Sequence, residues 1–190
     1  AEASVPRPGV ILPRIRNMAS KLWGISVGLT IICLLLLYFI GQMSFFDALA
    51  VTFSTISTGG FLPTTAGAFS YEGNHAIMTI LIIFMILGGG NFALYYSCYT
   101  NGLKEISHDF EVKTYLGILA VGSLLVGADL YFHHGEGAEA FWNSTFMYIS
   151  MQTGSGFAIA NYDLWPEFSK MLLFISTFIG GCSGSTTGSI

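Results

Sequence analysis

Residues 25–40 run for sixteen positions without a charged side chain, and residues 75–99 for twenty-five. In a hydrocarbon core no water is available to bond a free N–H or C=O, so a chain that crosses there must be helical or close into a barrel. Continuous rather than alternating apolar runs point to helices, and about 20 residues at 1.5 Å each cross a core of about 30 Å. A third run, 115–132, carries Asp129 near its end; a fourth, 168–181, has about two-thirds of the length a span needs. Composition agrees. Of 190 residues, 53% are hydrophobic and 9% charged, and the mean hydropathy is +0.65, whereas a soluble domain carries about 25% charged residues. The expected class is an all-α membrane protein in contact with lipid, and nucleic acid is not an expected partner.

The cations are unevenly placed. Arg7, Arg14, Arg16 and Lys21 precede the first run, Lys104 and Lys113 lie between the second and third, and Lys170 alone falls elsewhere. The positive-inside rule therefore puts the amino terminus and the 102–113 connection in the cytoplasm and the loops after runs one and three outside. Pro6, Pro8 and Pro13 predict an extended lead-in over residues 1–13 rather than a signal peptide. Cys33, Cys98 and Cys182 lie in or beside apolar runs at spacings that fit neither a metal site nor a disulfide frame, and read as buried small residues.

The loops after runs one and three contain the same pattern. Residues 53–61 (FSTISTGGF) and 148–157 (YISMQTGSGF) align at an offset of 96, which also carries Phe45 onto Phe141 and Asp47 onto Asn143. Too few apolar positions follow Ser44 for the chain to cross back before Gly59, so each segment must dip in and return as a short helix aimed at a glycine-rich turn. Gly59, Gly60, Gly154 and Gly156 lack a Cβ and can take backbone conformations closed to other residues, turning carbonyls toward a ligand. Carbonyls in a row are what a dehydrated cation needs. Clusters of Ser, Thr and Gly more often form plain turns, and it is the repetition in register that favours a site.

Gly88, Gly89 and Gly90 interrupt the second run at about 1 kcal/mol each relative to Ala, which predicts a kink, a close backbone approach, or both. Under the offset of 96 they fall on Gly184, Ser185 and Thr186 within GGCSGSTTGSI, so both outgoing helices are expected to break at one depth. A discontinuous helix in mid-bilayer points to a permeation path. His133, His134, Glu136 and Glu139 read as an exposed loop. His75 reads as an interfacial helix start, Asp129 as an acid near an outer helix end, and Glu105, Asp109 and Glu111 as solvated charges of the connection.

STGGF at 57–61, NFALYY at 91–96, TGSGF at 153–157 and above all FIGGCSGSTTG at 178–188 resemble the potassium-transporter subunits of the Trk/Ktr/HKT superfamily, specifically the TrkH type. The resemblance covers nearly the whole chain. It implies four helix–pore helix–helix repeats around a pseudo-fourfold pore, of which this chain resembles the second and third: a lead-in at 1–21, one repeat at 22–101, a connection at 102–113, and a second repeat at 114–190 ending in a broken helix. It makes Ser57, Thr58, Gly59, Gly60, Thr153, Gly154, Ser155 and Gly156 half of a K⁺ selectivity filter. It makes Gly180, Gly181, Cys182, Ser183, Gly184, Ser185, Thr186, Thr187 and Gly188 an intramembrane gate. It implies potassium uptake or symport across a bacterial inner membrane, with no catalysis and no organic cofactor. The implied partners are the remaining repeats, a second copy of the complete protein, and a cytosolic nucleotide-binding regulator docked on Arg14, Arg16, Lys21, Lys104 and Lys113. Three departures stand beside it: Gly154-Ser155 replaces a hydroxyl pair, Ser189 replaces a glycine, and the first and fourth repeats and a final basic helix end are not in the sequence, so a fragment of the full pore is expected.

Two other readings compete with a cation pathway fed by acidic outer loops (Asp47, Glu72, Asp129, Glu136, Glu139, Asp163, Glu167). A membrane enzyme or phosphate-binding protein would use the N–H groups of GCSGSTTGS, but no Lys follows the glycines and no Asp, Glu or His is expected at the membrane depth of Ser183 to Thr187. A purely structural small-residue packing helix explains the glycine runs and leaves the repeat unexplained.

Overall fold

The computed structural model describes residues 8–63, 70–71, 73–101, 109–134 and 137–187, and among these residues there is no β-strand. Among the described residues seven α-helices follow one another: α1 (Pro8–Phe39), α2 (Phe45–Ile56), α3 (His75–Gly88), α4 (Phe92–Asn101), α5 (Phe110–His134), α6 (Gly137–Gln152) and α7 (Glu167–Ile179). Two of them are long and apolar enough to cross a membrane, over Ala19–Phe39 and Phe110–His133, and a third crossing requires α3 and α4 to act as one span bent by 93°. Glu72, Lys104, Glu136 and Gly188 lie outside the described residues.

The extended lead-in is not observed where the backbone is described. Helix α1 begins at Pro8, a first helical position where the missing N–H is not needed; Pro13, in the second turn, forgoes one internal bond while the helix continues through it. At membrane depth the hydroxyls of Ser26 and Thr30 donate to the carbonyls of Leu22 and Ser26, at 3.1 and 2.8 Å, and so satisfy themselves within the helix. After a turn through Gln42, Ser44 caps α2: its hydroxyl oxygen accepts from Asp47 N at 3.1 Å while its proton goes to Asp47 Oδ2 at 2.7 Å. Asn74 caps α3 in the same manner, accepting from Ile77 N at 3.2 Å.

Each half of the chain packs a long helix against a short one and the short one against an apolar outgoing helix: α1–α2–α3, then α5–α6–α7. The halves meet through α3 and α6, and α4 folds back on α1. Lys21 donates to the Tyr96 hydroxyl, with its ammonium 4.3 Å from that ring's centroid, so the basic end of α1 lies beside α4. His75, at the start of α3, faces Trp142 of α6 with ring centroids 5.4 Å apart.

His133 and His134 belong to the last turn of α5, not to a loop. His133 Nδ1 lies 2.9 Å from the Asp129 carbonyl and 3.2 Å from its carboxylate, and the other carboxylate oxygen accepts from Ser169 Oγ at 2.5 Å. Asp129 thus ties α5 to α7. No group of three or more metal-ligating side chains occurs among the described residues.

Candidate functional site

Helices α2 and α6 end at Ile56 and Gln152, which are mates at the offset of 96. Beyond them the backbone doubles back. Ser57 N donates to Phe53 O at 3.0 Å, Thr58 N to Thr55 O at 3.2 Å and Gly59 N to Ser54 O at 2.8 Å. In the second half, Thr153 N donates to Ile149 O at 2.9 Å, Gly154 N to Met151 O at 3.1 Å and Gly156 N to Ser150 O at 3.0 Å. The donors are thereby spent on the preceding helix. Among the described residues, no hydrogen bond is accepted by the carbonyls of Thr58, Gly59, Gly60, Gly154, Ser155 or Gly156, which keeps them available to a ligand. The Ser150 hydroxyl donates to Phe157 O at 2.9 Å and pins the end of the second stretch to its helix.

Backbone handedness repeats too. Thr58 and Gly60 have φ of 51° and 75°, and their mates Gly154 and Gly156 both have 69°, while Gly59 and Ser155 between them do not take the left-handed form. Contrary to expectation, Gly59 does not use its freedom and Thr58 takes the left-handed position instead, its hydroxyl bonded to Ser57 O at 2.8 Å and Thr186 O at 3.2 Å. The two stretches are adjacent. A Cβ placed on Gly60 would lie 2.4 Å from Ser155 O and 3.8 Å from Gly156 Cα.

Below them, α3 stops at the glycine run and α7 stops at Gly180, whose φ is 69°. The offset of 96 does not hold for these helices. They start at 75 and 167, a separation of 92, because the chain returning from the second stretch is shorter by four residues. Four residues are about one helical turn, so the helix keeps its facing while its break moves from the expected 184–186 to 180–182. Both predicted features of the glycine run occur, the 93° bend and the close approach. Cys182 N donates to Gly89 O at 2.8 Å and Thr186 N to Gly88 O at 3.3 Å; a Cβ on Gly181 would lie 2.5 Å from Gly89 O.

Loop 180–187 also reaches both short helices. Thr186 Oγ1 donates to Ile56 O at 2.9 Å and Gly88 O at 3.0 Å, and Thr187 Oγ1 to Thr153 O at 2.8 Å. Ile56 O and Thr153 O are among the last carbonyls of α2 and at the exit of α6, groups with no intrahelical partner. Three further residues escaped the sequence reading. The hydroxyls of Tyr115 and Tyr95 donate to Ile86 O and Leu87 O, at 3.2 and 2.9 Å, and Glu111, read as a solvated charge, accepts from Ser183 N at 2.5 Å. Tyr95 lies in the NFALYY run; nothing in sequence marks the other two.

The family model for TrkH, described as a cation transport protein, matches residues 2–125 and 118–190. The Trk system potassium uptake protein TrkH of Escherichia coli K12 is 36% identical over 181 residues, 94% of this chain and 37% of its own length. TrkG of the same strain is 32% identical over 183 residues, 95% and 37% of the two chains. The crystal structure of the potassium transporter TrkH from Vibrio parahaemolyticus superposes with a TM-score of 0.87 at 34% identity, covering 93% of this chain and 38% of that one. The chain thus spans about two-fifths of the length of the relatives it matches.

Proposed function

The chain belongs to the TrkH family of cation transport proteins, a family of transporters rather than enzymes, and from that premise we propose that it forms two quarters of a potassium pathway. Residues 57–60 and 153–156 supply carbonyls that replace the hydration shell of K⁺, and 180–188 gates the path beneath them. The observation that carries this reading is the matched pair of left-handed positions, Thr58/Gly60 and Gly154/Gly156, brought edge to edge with their carbonyls unspent. Thr58 and Gly154 close the preceding helices in left-handed form, and the stretch beyond each leaves a run of free carbonyls, which suits a filter.

The domain division follows: repeats at 22–101 and 114–190 joined by a cytoplasmic connection at 102–113, with the amino terminus inside and the filter loops opening outward in a bacterial inner membrane. The remaining repeats close the ring, the complete protein pairs with a second copy, and a nucleotide-binding regulator docks on the basic rim that includes Lys21 and Lys113. The phosphate-binding alternative is disfavoured by the loop itself, because the amides of Cys182, Ser183 and Thr186 are committed to Gly89 O, the Glu111 carboxylate and Gly88 O. An anion there would face a carboxylate.

In a complete transporter carrying this sequence, deletion of residues 182–188 is expected to raise K⁺ flux severalfold and to leave the K⁺ over Na⁺ ratio largely intact. Uptake in potassium-uptake-deficient cells measures both. Unchanged flux in a deletion protein shown to be folded and inserted removes the gating role.

A further inference from the structure

Glu111 stands in the first turn of α5, where an acid needs no more explanation than the helix dipole. That end of the helix is already capped, however: Asp109 Oδ1 accepts from Val112 N at 3.1 Å. The Glu111 side chain turns instead toward loop 180–187, and its Oε1 accepts from Ser183 N across 72 residues of sequence at 2.5 Å. The other described attachments of that loop are bonds between neutral groups: its donors reach Gly88 O, Gly89 O, Ile56 O and Thr153 O, and its Gly184 and Thr186 carbonyls accept from Phe92 N and the Thr58 hydroxyl. A bond to a carboxylate is about twice as strong as one of those. Beside it, a cavity of about 310 Å³ opens between the start of α5 (Phe110, Glu111, Tyr115) and Gly180 to Cys182. The loop therefore has room to move on the side where its charged tether lies.

We propose that Glu111 is the latch of the gate: its carboxylate holds Ser183 so that the loop stays against the ends of α2 and α6, and its withdrawal lets the loop swing into the cavity beside α5. The proposal rests on the reading of 180–188 as a gate. Glu111 is a positioning residue that touches no ion. It lies in the first turn of α5, two residues beyond Asp109, so a displacement of that end of α5 moves the carboxylate directly and unlocks a loop inside the membrane without passing through the filter.

The chain carries its own reporter. Cys182 is next to Ser183 and 3% exposed, and Cys33, far along α1, is 0% exposed. In a complete transporter with Cys98→Ala, the rate of N-ethylmaleimide addition is measured at each cysteine by mass spectrometry for the parent, Glu111→Ala, Glu111→Gln and Glu111→Asp. Loss of one charge-assisted bond is expected to speed labelling of Cys182 roughly tenfold in Glu111→Ala, with Glu111→Gln, which keeps an acceptor, in between. Asp keeps the charge at the helix end and loses the reach, so the latch requires Glu111→Asp to resemble Glu111→Ala, whereas a helix-dipole role requires it to resemble the parent. Parental Cys182 rates in Glu111→Ala and Glu111→Asp overturn the latch, and acceleration at Cys33 as well marks general loosening and overturns it too. The flux of the 182–188 deletion separates the two readings: a raised flux with parental Cys182 rates removes the latch and keeps the gate, while an unchanged flux removes the gate.

Discussion

Gly60 and Gly156 are mates in sequence and share a left-handed backbone, yet a side chain would meet different obstacles at each. At Gly156 a Cβ enters open space, and the penalty is the left-handed conformation alone, about 1–2 kcal/mol. At Gly60 the same penalty is joined by Ser155 O at 2.4 Å from the new Cβ, a backbone atom of the neighbouring stretch that cannot rotate aside. Gly60→Ser is therefore expected to lower the K⁺ over Na⁺ flux ratio of a complete transporter more than Gly156→Ser does. Parental ratios in both variants, or the reverse order, count against the filter assignment. These two glycines were legible because positive φ has a composition signature. Thr58 was not: its left-handed backbone is held by hydroxyl bonds to its neighbour's carbonyl and to Thr186 O, and a residue 128 positions away leaves no local mark. Glu111 was misread for the same reason, since a charge in a polar stretch looks solvated until its partner is placed.

The break after α3 shows how a costly element is made stable. Its end exposes the carbonyls of Ile86, Leu87, Gly88 and Gly89, which at membrane depth need partners. They receive the Tyr115 hydroxyl, the Tyr95 hydroxyl, the amide and hydroxyl of Thr186, and the Cys182 amide. Loop 180–187 is thus a cap as well as a candidate gate. The glycine run announced that the helix would fail; it could not announce what would satisfy it, because the donors come from four other places in the chain. Likewise the offset of 96 matched the ends of both short helices, Ile56 and Gln152, while α6 starts four residues before the mate of Phe45, and it missed the outgoing helices by one turn, since nothing in either repeat fixes the length of the return from the glycine-rich stretch. Thr186→Val keeps the shape and removes the donor to Ile56 O and Gly88 O, which is expected to cost about 1–3 kcal/mol. Thr177→Val is the control, because Thr177 is exposed and its hydroxyl donates to Phe174 O of its own helix. The purified complete transporter should show a lower melting temperature in the first variant and the parental value in the second. An unchanged melting temperature in Thr186→Val removes the capping role.

At the scale of the whole chain the two halves are alike in path and unlike in cover. Phe61 is 82% exposed and its mate Phe157 1%; Phe53 is 56% exposed and its mate Ile149 4%. The difference lies in the neighbours: α6 has α3 of the preceding half against it, while among the described residues no helix packs in the corresponding way on α2. There, Phe53 and Leu49 of α2 form with Trp23 and Leu34 of α1 a groove of about 500 Å³. Only 11% of the α1 span is buried, against 39% for α5. In the four-unit ring proposed above each short helix would be flanked on both sides; on that proposal a preceding repeat covers the bare face of α2, and two units alone enclose half a pore. Residues 1–190 expressed by themselves are accordingly expected not to restore uptake in potassium-deficient cells. The face can be tested directly with a nitroxide attached at Phe53→Cys after Cys33, Cys98 and Cys182 are replaced by Ala. In the complete transporter the label should be immobile and shielded from membrane-dissolved oxygen, and in the 190-residue chain in the same lipid it should be mobile and open to oxygen. Equal oxygen accessibility in the two would mean that lipid, not protein, covers α2, and the chain's place beside a preceding repeat would have to be abandoned.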